Sequence, residues 1–306
     1  MSLTATGAAF ARAYHAAHDD PKIFDDFLAA ALFTPDEVAE LERRIVGAVA
    51  MLAPEAAGLA PAEAVARSMR TQSTSTLLAR AHYTEDRLVD EIGRGAVQYV
   101  VLGAGLDTFA FRRPELLERV RMFEIDRPEM QADKQRRIAR AGWRVPAQLR
   151  FVALDLMTGD LAAALASAGF DPGLRTFWSW MGVTFYLTRD VVLATLRALA
   201  RLGAPGSVGV FDYADLDAYD DAKASPDMRR TRELVASVGE VMGVGFDPEA
   251  LATDLDRIGL SLVEDLSPAE IQARYFAGRS DGYHALDHVH YAAARGTLPT
   301  HETIEP

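Results

Sequence analysis

The chain contains no cysteine. That absence removes disulfides, thiolate metal sites and a thiol nucleophile together, and it fits a reducing, cytoplasmic setting. Positive charge is also scarce: 32 basic residues stand against 44 acidic ones, a formal net charge of −12 over 306 residues. A surface of that sign repels a phosphate backbone at long range, which argues against a nucleic-acid partner. No apolar run approaches the roughly 18 residues needed to span a membrane, so a membrane is not an expected partner. A secretory leader is not expected either, because Arg12, His15, His18, Asp19 and Asp20 interrupt the N-terminal stretch. Internal repeats and low-complexity tracts are lacking as well.

What is present has the balance of a globular protein, with 49% hydrophobic and 25% charged residues, enough to bury a large core. The first hundred residues read as helical. Thr34-Pro35-Asp36-Glu37 combines a capping threonine, a proline at the first helical position and a glutamate at the third, which predicts a helix from there through Met51. A Pro/Gly/Ala-rich break from Pro54 to Pro61 leads into a second helical stretch, ended by Gly93-Arg94-Gly95. Beyond it, short apolar runs alternate with helical segments. Strands are predicted near Gln98–Leu102, Arg121–Ile125, Leu149–Leu154, Thr176–Gly182, Ser207–Asp212, Leu260–Glu264 and His288–Ala292.

Strands separated by helical crossovers imply an α/β fold with a doubly wound, mainly parallel sheet of seven strands. The expected division is an N-terminal helical cap over residues 1–95, packed on a core over residues 96–306. A polar stretch from Ala214 to Gly245 interrupts the alternation and reads as an insertion or lid.

In an open α/β sheet the ligand site lies beyond the carboxyl ends of the strands, and the loop after the first strand is the usual place. Here that loop is Leu102-Gly103-Ala104-Gly105-Leu106-Asp107-Thr108. Gly103 and Gly105 allow a tight turn and close approach of a ligand to the backbone, although glycines alone favour no particular ligand. A dinucleotide fingerprint would have a third small residue near position 108 and an uncharged helix start for pyrophosphate. This chain has Asp107 there. A carboxylate repels a diphosphate by about 1 kcal/mol in water at 4 Å, and several-fold more near a protein surface. The same charge attracts a cationic nucleoside such as S-adenosylmethionine (SAM), whose sulfonium and ammonium would lie over this loop. The alternative reading is that Asp107 merely caps the following helix. Asp126 ends the second strand about 20 residues past the glycines, where an acidic residue accepts hydrogen bonds from ribose. Asp155 ends the third, from which it could bind the adenine amino group while the Leu156 amide meets the ring. Either carboxylate could also be an ordinary turn residue.

The order of further segments resembles the leucine carboxyl methyltransferase superfamily, in particular its bacterial branch of SAM-dependent methyltransferases, which includes polyketide O-methyltransferases. The segments that carry the resemblance run from Asp20-Pro21-Lys22-Ile23-Phe24-Asp25-Asp26 through Arg80-Ala81-His82-Tyr83-Thr84-Glu85-Asp86, Gln98 to Thr108 and Phe123 to Pro128. They continue with Gly182-Val183-Thr184-Phe185-Tyr186-Leu187-Thr188, Arg274-Tyr275-Phe276 and Arg279-Ser280-Asp281-Gly282. The resemblance implies the class I SAM methyltransferase fold. It also implies that Gly103 and Gly105 line the methionine part of SAM, Asp126 binds the ribose, Asp155 with Leu156 holds the adenine, and Arg80 clamps the SAM carboxylate, a role suited to a planar, always charged fork. One position departs: the family commonly has a glutamate where this chain has Met181, in Trp180-Met181-Gly182-Val183-Thr184. Methionine cannot accept a hydrogen bond from the SAM ammonium, so measurable but not exceptionally tight SAM binding is expected.

Relatives of this kind suggest a small-molecule acceptor with a carboxyl or hydroxyl group, and a peptide or protein carboxyl terminus is an alternative. Methyl transfer is chiefly a matter of positioning; a carboxylate acceptor needs no base, whereas an alcohol or phenol would be helped by one. Tyr186, His82, Asp212 and Tyr213 are placed by the sequence near strand ends and could face an acceptor, but each is also an ordinary packing or turn residue, and no catalytic base is assigned. The group His284, His288, His290, Asp281 and Asp287 has no familiar metal-ligand spacing, and no metal is expected. Two other classes compete: a nucleotide-dependent oxidoreductase, opposed by Asp107, and a SAM-binding module without turnover, for which Met181 is the hint.

Overall fold

The computed structural model describes residues 3–49, 58–70, 72–237 and 239–297. Among the described residues, four α-helices precede the sheet. The first covers Leu3–His18. The next, Pro35–Gly47, starts as its sequence predicts: Glu37 donates its backbone N–H to Thr34 Oγ1 at 3.2 Å, and its side chain accepts the Thr34 N–H at 2.8 Å. Met51 and residues 54–57 of the proline-rich break lie outside the described residues. Helices Pro61–Met69 and Gln72–Gly93 follow.

The strands are β1 (Gln98–Leu102), β2 (Arg121–Asp126), β3 (Leu149–Ala153), β4 (Thr176–Trp180), β5 (Val208–Asp215), β6 (Gly245–Phe246), β7 (Leu260–Leu266) and β8 (Val289–Gly296). The main path runs β3-β2-β1-β4-β5-β8-β7, with the two-residue β6 paired to β5. Pairings from β3 to β5 are parallel, and β8 lies antiparallel between β5 and β7. The seven expected strands are all present in a mixed, mainly parallel sheet, and β6 is an addition.

Several strand ends differ from expectation, and three of the differences have evident physical reasons. β4 stops at Trp180 because Gly182 takes a φ of +74°, which extended backbone cannot accommodate. β8 begins at Val289 because His288 has a φ of +70°. β5 runs on to Asp215, since Tyr213 and Ala214 are buried and Tyr213 donates its hydroxyl to Asp265 at 2.7 Å.

β1 is buried on both faces, as its unbroken Gln-Tyr-Val-Val-Leu run requires. Tyr99 and Val101 pack under helix Gln72–Gly93, with Leu78, Tyr83 and Ile92, while Val100 and Leu102 pack with Trp178, Trp180 and Leu196 on the opposite side. A third cluster joins Phe10, Phe33 and Met69 to Leu106, and so seats the N-terminal helices on the loop after β1.

Candidate active site

The strand order reverses between β1 and β4, and the loops leaving the carboxyl ends of β1, β2 and β3 open there side by side. Gly103 and Ala104 both donate N–H groups to the Ile125 carbonyl, at 2.8 and 3.1 Å. Gly103 has a φ of +69°, and a Cβ at this position would stand 2.4 Å from Val183 Cγ2. Only glycine meets both demands.

The three carboxylates are held by backbone amides. Asp107 accepts the Phe109 N–H at 2.7 Å. Asp126 accepts Gly105 N–H on Oδ2 at 2.7 Å and Arg127 N–H on Oδ1 at 2.8 Å. Asp155 accepts the Met157 N–H on Oδ1 at 2.9 Å. All three also line the cavity above the loop. The cap of the following short helix is Thr108 rather than Asp107, whose contact with the Phe109 amide is a turn; because a carboxylate has about four acceptor positions and this turn uses one, Asp107 can also face a ligand.

That cavity has a volume of about 490 Å³, within the usual range for small-molecule sites. Arg80, Gly103, Gly105, Asp107, Asp126, Asp155 and Leu156 all line it, and so does Met181. Its roof comes from distant segments. Arg80 enters from helix Gln72–Gly93 and faces Asp212 Oδ2 at 3.3 Å. Arg12, on the first helix, donates to the Leu106 carbonyl at 2.9 Å and to Asp26 Oδ2 at 2.9 Å. Thr4 Oγ1 donates to Glu240 Oε2 at 2.6 Å, joining the first helix to the inserted segment above the opening.

Several wall residues were not singled out by the sequence. Tyr99 and Ser179 share a hydrogen bond of 3.0 Å and both line the cavity. Glu85 also lines it, and Arg112 and Arg113 both hold its carboxylate. Burial raises the Glu85 pKa against the pull of Arg112. Glu85 lies within the Arg80-to-Asp86 segment, so that segment was the available signal. Tyr99, by contrast, reads as an ordinary strand residue, and Glu240 has no local signature.

Of the four residues considered near an acceptor, only Tyr186 lines the cavity. Burial pushes its pKa up to about 12. Asp212 is fully buried beside Gly182 and Arg80. Tyr213 belongs to the core on the opposite sheet face, and His82 lies near Asp86, at 3.6 Å, away from the cavity wall. The C-terminal histidines separate: His288 and His290 both approach Asp215, at 3.0 and 3.9 Å, whereas His284 lies 3.8 Å from Asp227. Among the described residues no group of three or more such side chains is arranged to hold a metal ion.

The floor combines glycine backbone with carboxylates and one end is faced by an arginine. Such a wall suits a ligand that is cationic overall, carries ribose-like hydroxyls and ends in a carboxylate. A cavity of about 490 Å³ that brings Asp107, Asp126 and Asp155, the Gly103 and Gly105 backbone and the Arg80 guanidinium to one wall meets those demands, so the residues present fit SAM.

Known proteins bear on the same question. A profile of the leucine carboxyl methyltransferase family matches residues 5–200. YktD of Bacillus subtilis, provisionally named a SAM-dependent methyltransferase, is 36% identical over 296 residues, covering 96% of this chain and 97% of its own. A Frankia alni protein with the same kind of name is 33% identical over 249 residues, 81% of this chain and 80% of its own. A DUF574 family protein from Streptomyces avermitilis has the same fold, with a TM-score of 0.51 at 15% identity over 94% of this chain and 96% of its own. Among the described residues no helix is long and apolar enough to cross a membrane.

Proposed function

This chain belongs to the leucine carboxyl methyltransferase family and is a SAM-dependent methyltransferase, and from that premise we propose that it methylates an oxygen, of a carboxyl or hydroxyl group, on a small metabolite. The observation that carries the site assignment is the convergence of Arg80, Gly103, Gly105, Asp107, Asp126, Asp155 and Leu156 on one cavity. In this reading Asp126 receives the ribose hydroxyls on the acceptor positions left by its two amide contacts. Asp155 and Leu156 hold the adenine, Gly103 and Gly105 lie under the methionine part, Asp107 faces the positive charge, and Arg80 takes the carboxylate.

When bound, SAM supplies a methyl group on a sulfonium; an acceptor oxygen forms the new C–O bond as the C–S bond breaks, and the electron pair leaves with the sulfur of S-adenosylhomocysteine (SAH). The chain's part is to align the two and keep water away. The described wall residues include no histidine or lysine, Tyr186 stays protonated with its pKa up at about 12, and of the wall glutamates Glu85 is held by Arg112 and Arg113 and Glu240 by Thr4. This supports an acceptor that arrives already ionised, a carboxylate ahead of an alcohol. Residues 1–95 would act as the cap and the segment from 214 to 245 as the lid, in a cytoplasmic enzyme of secondary metabolism.

Thermal-shift titration with SAM, SAH and NAD tests the cofactor, and labelled SAM with carboxylate and hydroxyl acceptors tests the transfer. Stabilisation by NAD alone would overturn the assignment. Met181 brings a thioether to the wall where a carboxylate would meet the ammonium. Met181→Glu is expected to tighten SAH binding about tenfold or more, on the scale of one charge-assisted hydrogen bond; no gain would mean that the ammonium lies elsewhere.

A further inference from the structure

Asp212 lies in β5 one residue beyond Phe211, the partner of Trp180 at the end of β4. Its side chain is fully buried. Oδ1 accepts the Gly182 N–H at 2.7 Å, Oδ2 faces Arg80 Nη1 at 3.3 Å, and the Asp212 carbonyl accepts the Thr184 hydroxyl at 2.5 Å. A Cβ on Gly182 would stand 2.3, 2.4 and 2.5 Å from three atoms of the Arg80 guanidinium. The guanidinium is therefore seated where a side chain at 182 would be, with Asp212 on one side and the cavity on another.

A buried carboxylate is costly unless it is paired and hydrogen-bonded. Burial pushes the Asp212 carboxyl above its usual range, and Arg80 is the main influence opposing it. The contact engages one guanidinium nitrogen, so most of the five N–H donors of Arg80 stay available to a ligand. The pairing thus orients the fork without using it up.

We propose that Asp212 is a positioning residue for the amino-acid end of the cofactor: together with Gly182 it holds Arg80 in the orientation from which the guanidinium meets the cofactor carboxylate. The inference rests on the reading of this cavity as a SAM site. A purely structural ion pair would support both halves of the ligand equally. A positioning role is felt only by ligands that possess the carboxylate.

Asparagine at 212 keeps the shape but turns an NH2 toward either Gly182 N–H or Arg80, so it satisfies one donor where aspartate satisfies two. The test measures equilibrium binding of SAH and of 5′-methylthioadenosine, which lacks the amino-acid end, to the wild type, Asp212→Asn, Arg80→Ala and the double variant. Asp212→Asn is expected to weaken SAH about tenfold, the order of a hydrogen bond to a charged group, and to leave 5′-methylthioadenosine within twofold. In the Arg80→Ala background the same change is expected to cost SAH nothing further. Equal losses for both ligands, or a loss that persists without Arg80, would overturn the proposal. If the wild type binds neither ligand, the SAM reading itself fails and the proposal with it. Should Arg80→Ala not fold, because it leaves Asp212 buried without its cation, Arg80→Gln serves as the background. Gly182→Ala is an independent variant with the same expected selectivity for SAH, since its Cβ displaces the guanidinium.

Discussion

On the floor of the cavity, Asp107, Asp126 and Asp155 are each tied to a backbone amide one or two residues further along the chain. In the roof, the contacts Arg12 to Leu106, Arg80 to Asp212 and Thr4 to Glu240 span 94, 132 and 236 positions. The floor's polar contacts are either local or join the adjacent strands β1 and β2, as Gly105 N–H to Asp126 does across 21 positions, so the floor can form as soon as its strands pair and its turns form. The roof exists only when the first helix, the helix Gln72–Gly93 and the inserted segment have all docked, and ordering such distant pieces carries a loop-closure entropy cost. Under the proposed function, the base would hold most of the cofactor, Arg80 would reach it from the roof, and the rest of the roof would be free to vary with the acceptor.

The largest effect is expected from breaking the floor at Gly103. Gly103→Ala would force a Cβ into a backbone at +69° and to within 2.4 Å of Val183 Cγ2, a stiff β-branched side chain. Strain of that kind costs about 1 to 3 kcal/mol, and SAH affinity is expected to fall by about a hundredfold or more, read by calorimetry alongside the melting temperature. Affinity retained within tenfold would mean that the loop is not a close-fitting cradle.

Two buried histidines, His15 in the first helix and His290 in β8, give opposite pH dependences. His15 accepts the Ile23 N–H on Nε2 at 2.8 Å, so its Nδ1 carries the hydrogen that meets Asp19 Oδ2 at 2.9 Å. Burial lowers its pKa in spite of Asp19. Its contribution is present above the unfolded value of about 6.5 and is lost as the pH falls through the lowered folded value. For His290 burial acts in the same downward direction, but the carboxylates of Asp215 and Asp265, 3.9 and 3.6 Å away, outweigh it and push its pKa up to about 9. That contribution is complete below about 6.5 and is lost as the pH rises to about 9. Urea unfolding between pH 5.5 and 9.5 is expected to show an alkaline decline on the order of 1 to 2 kcal/mol, and His290→Gln should flatten it. An unchanged alkaline limb in that variant would remove His290 as the cause.

The smallest effect is expected at the contact that joins the two halves of the roof. Thr4→Val keeps the side-chain shape and removes the hydroxyl that Glu240 accepts. Unfolding free energy is expected to drop by less than about 1 kcal/mol, with a higher KM for the acceptor and unchanged SAH affinity. Equal changes for cofactor and acceptor would erase the distinction between floor and roof.

The parts of this molecule that could be read from the sequence are those governed by local rules. Thr34 and Glu37 form their capping box, the Gln98–Leu102 run is a strand buried on both faces, and the carboxylates at 107, 126 and 155 stand at successive strand ends. Where local pattern misled, the cause was a non-local partner or a backbone conformation. Tyr213 seemed able to face an acceptor, but the extension of β5 turns it to the other sheet face; His288 and His290 seemed to share a strand, but a positive φ at 288 places only His290 in it.

By itself, then, the sequence determined the sheet, its seven main strands and the glycine and carboxylate floor, because hydrophobic period, turn chemistry and strand-end charge act over a few residues. The tertiary structure alone decided that Asp212 would sit behind Arg80, that Glu85 would be gripped by two arginines, and that Thr4 would reach Glu240. No local signal encodes such pairs, since each depends on the packing of elements that the chain brings together only after its strands have ordered.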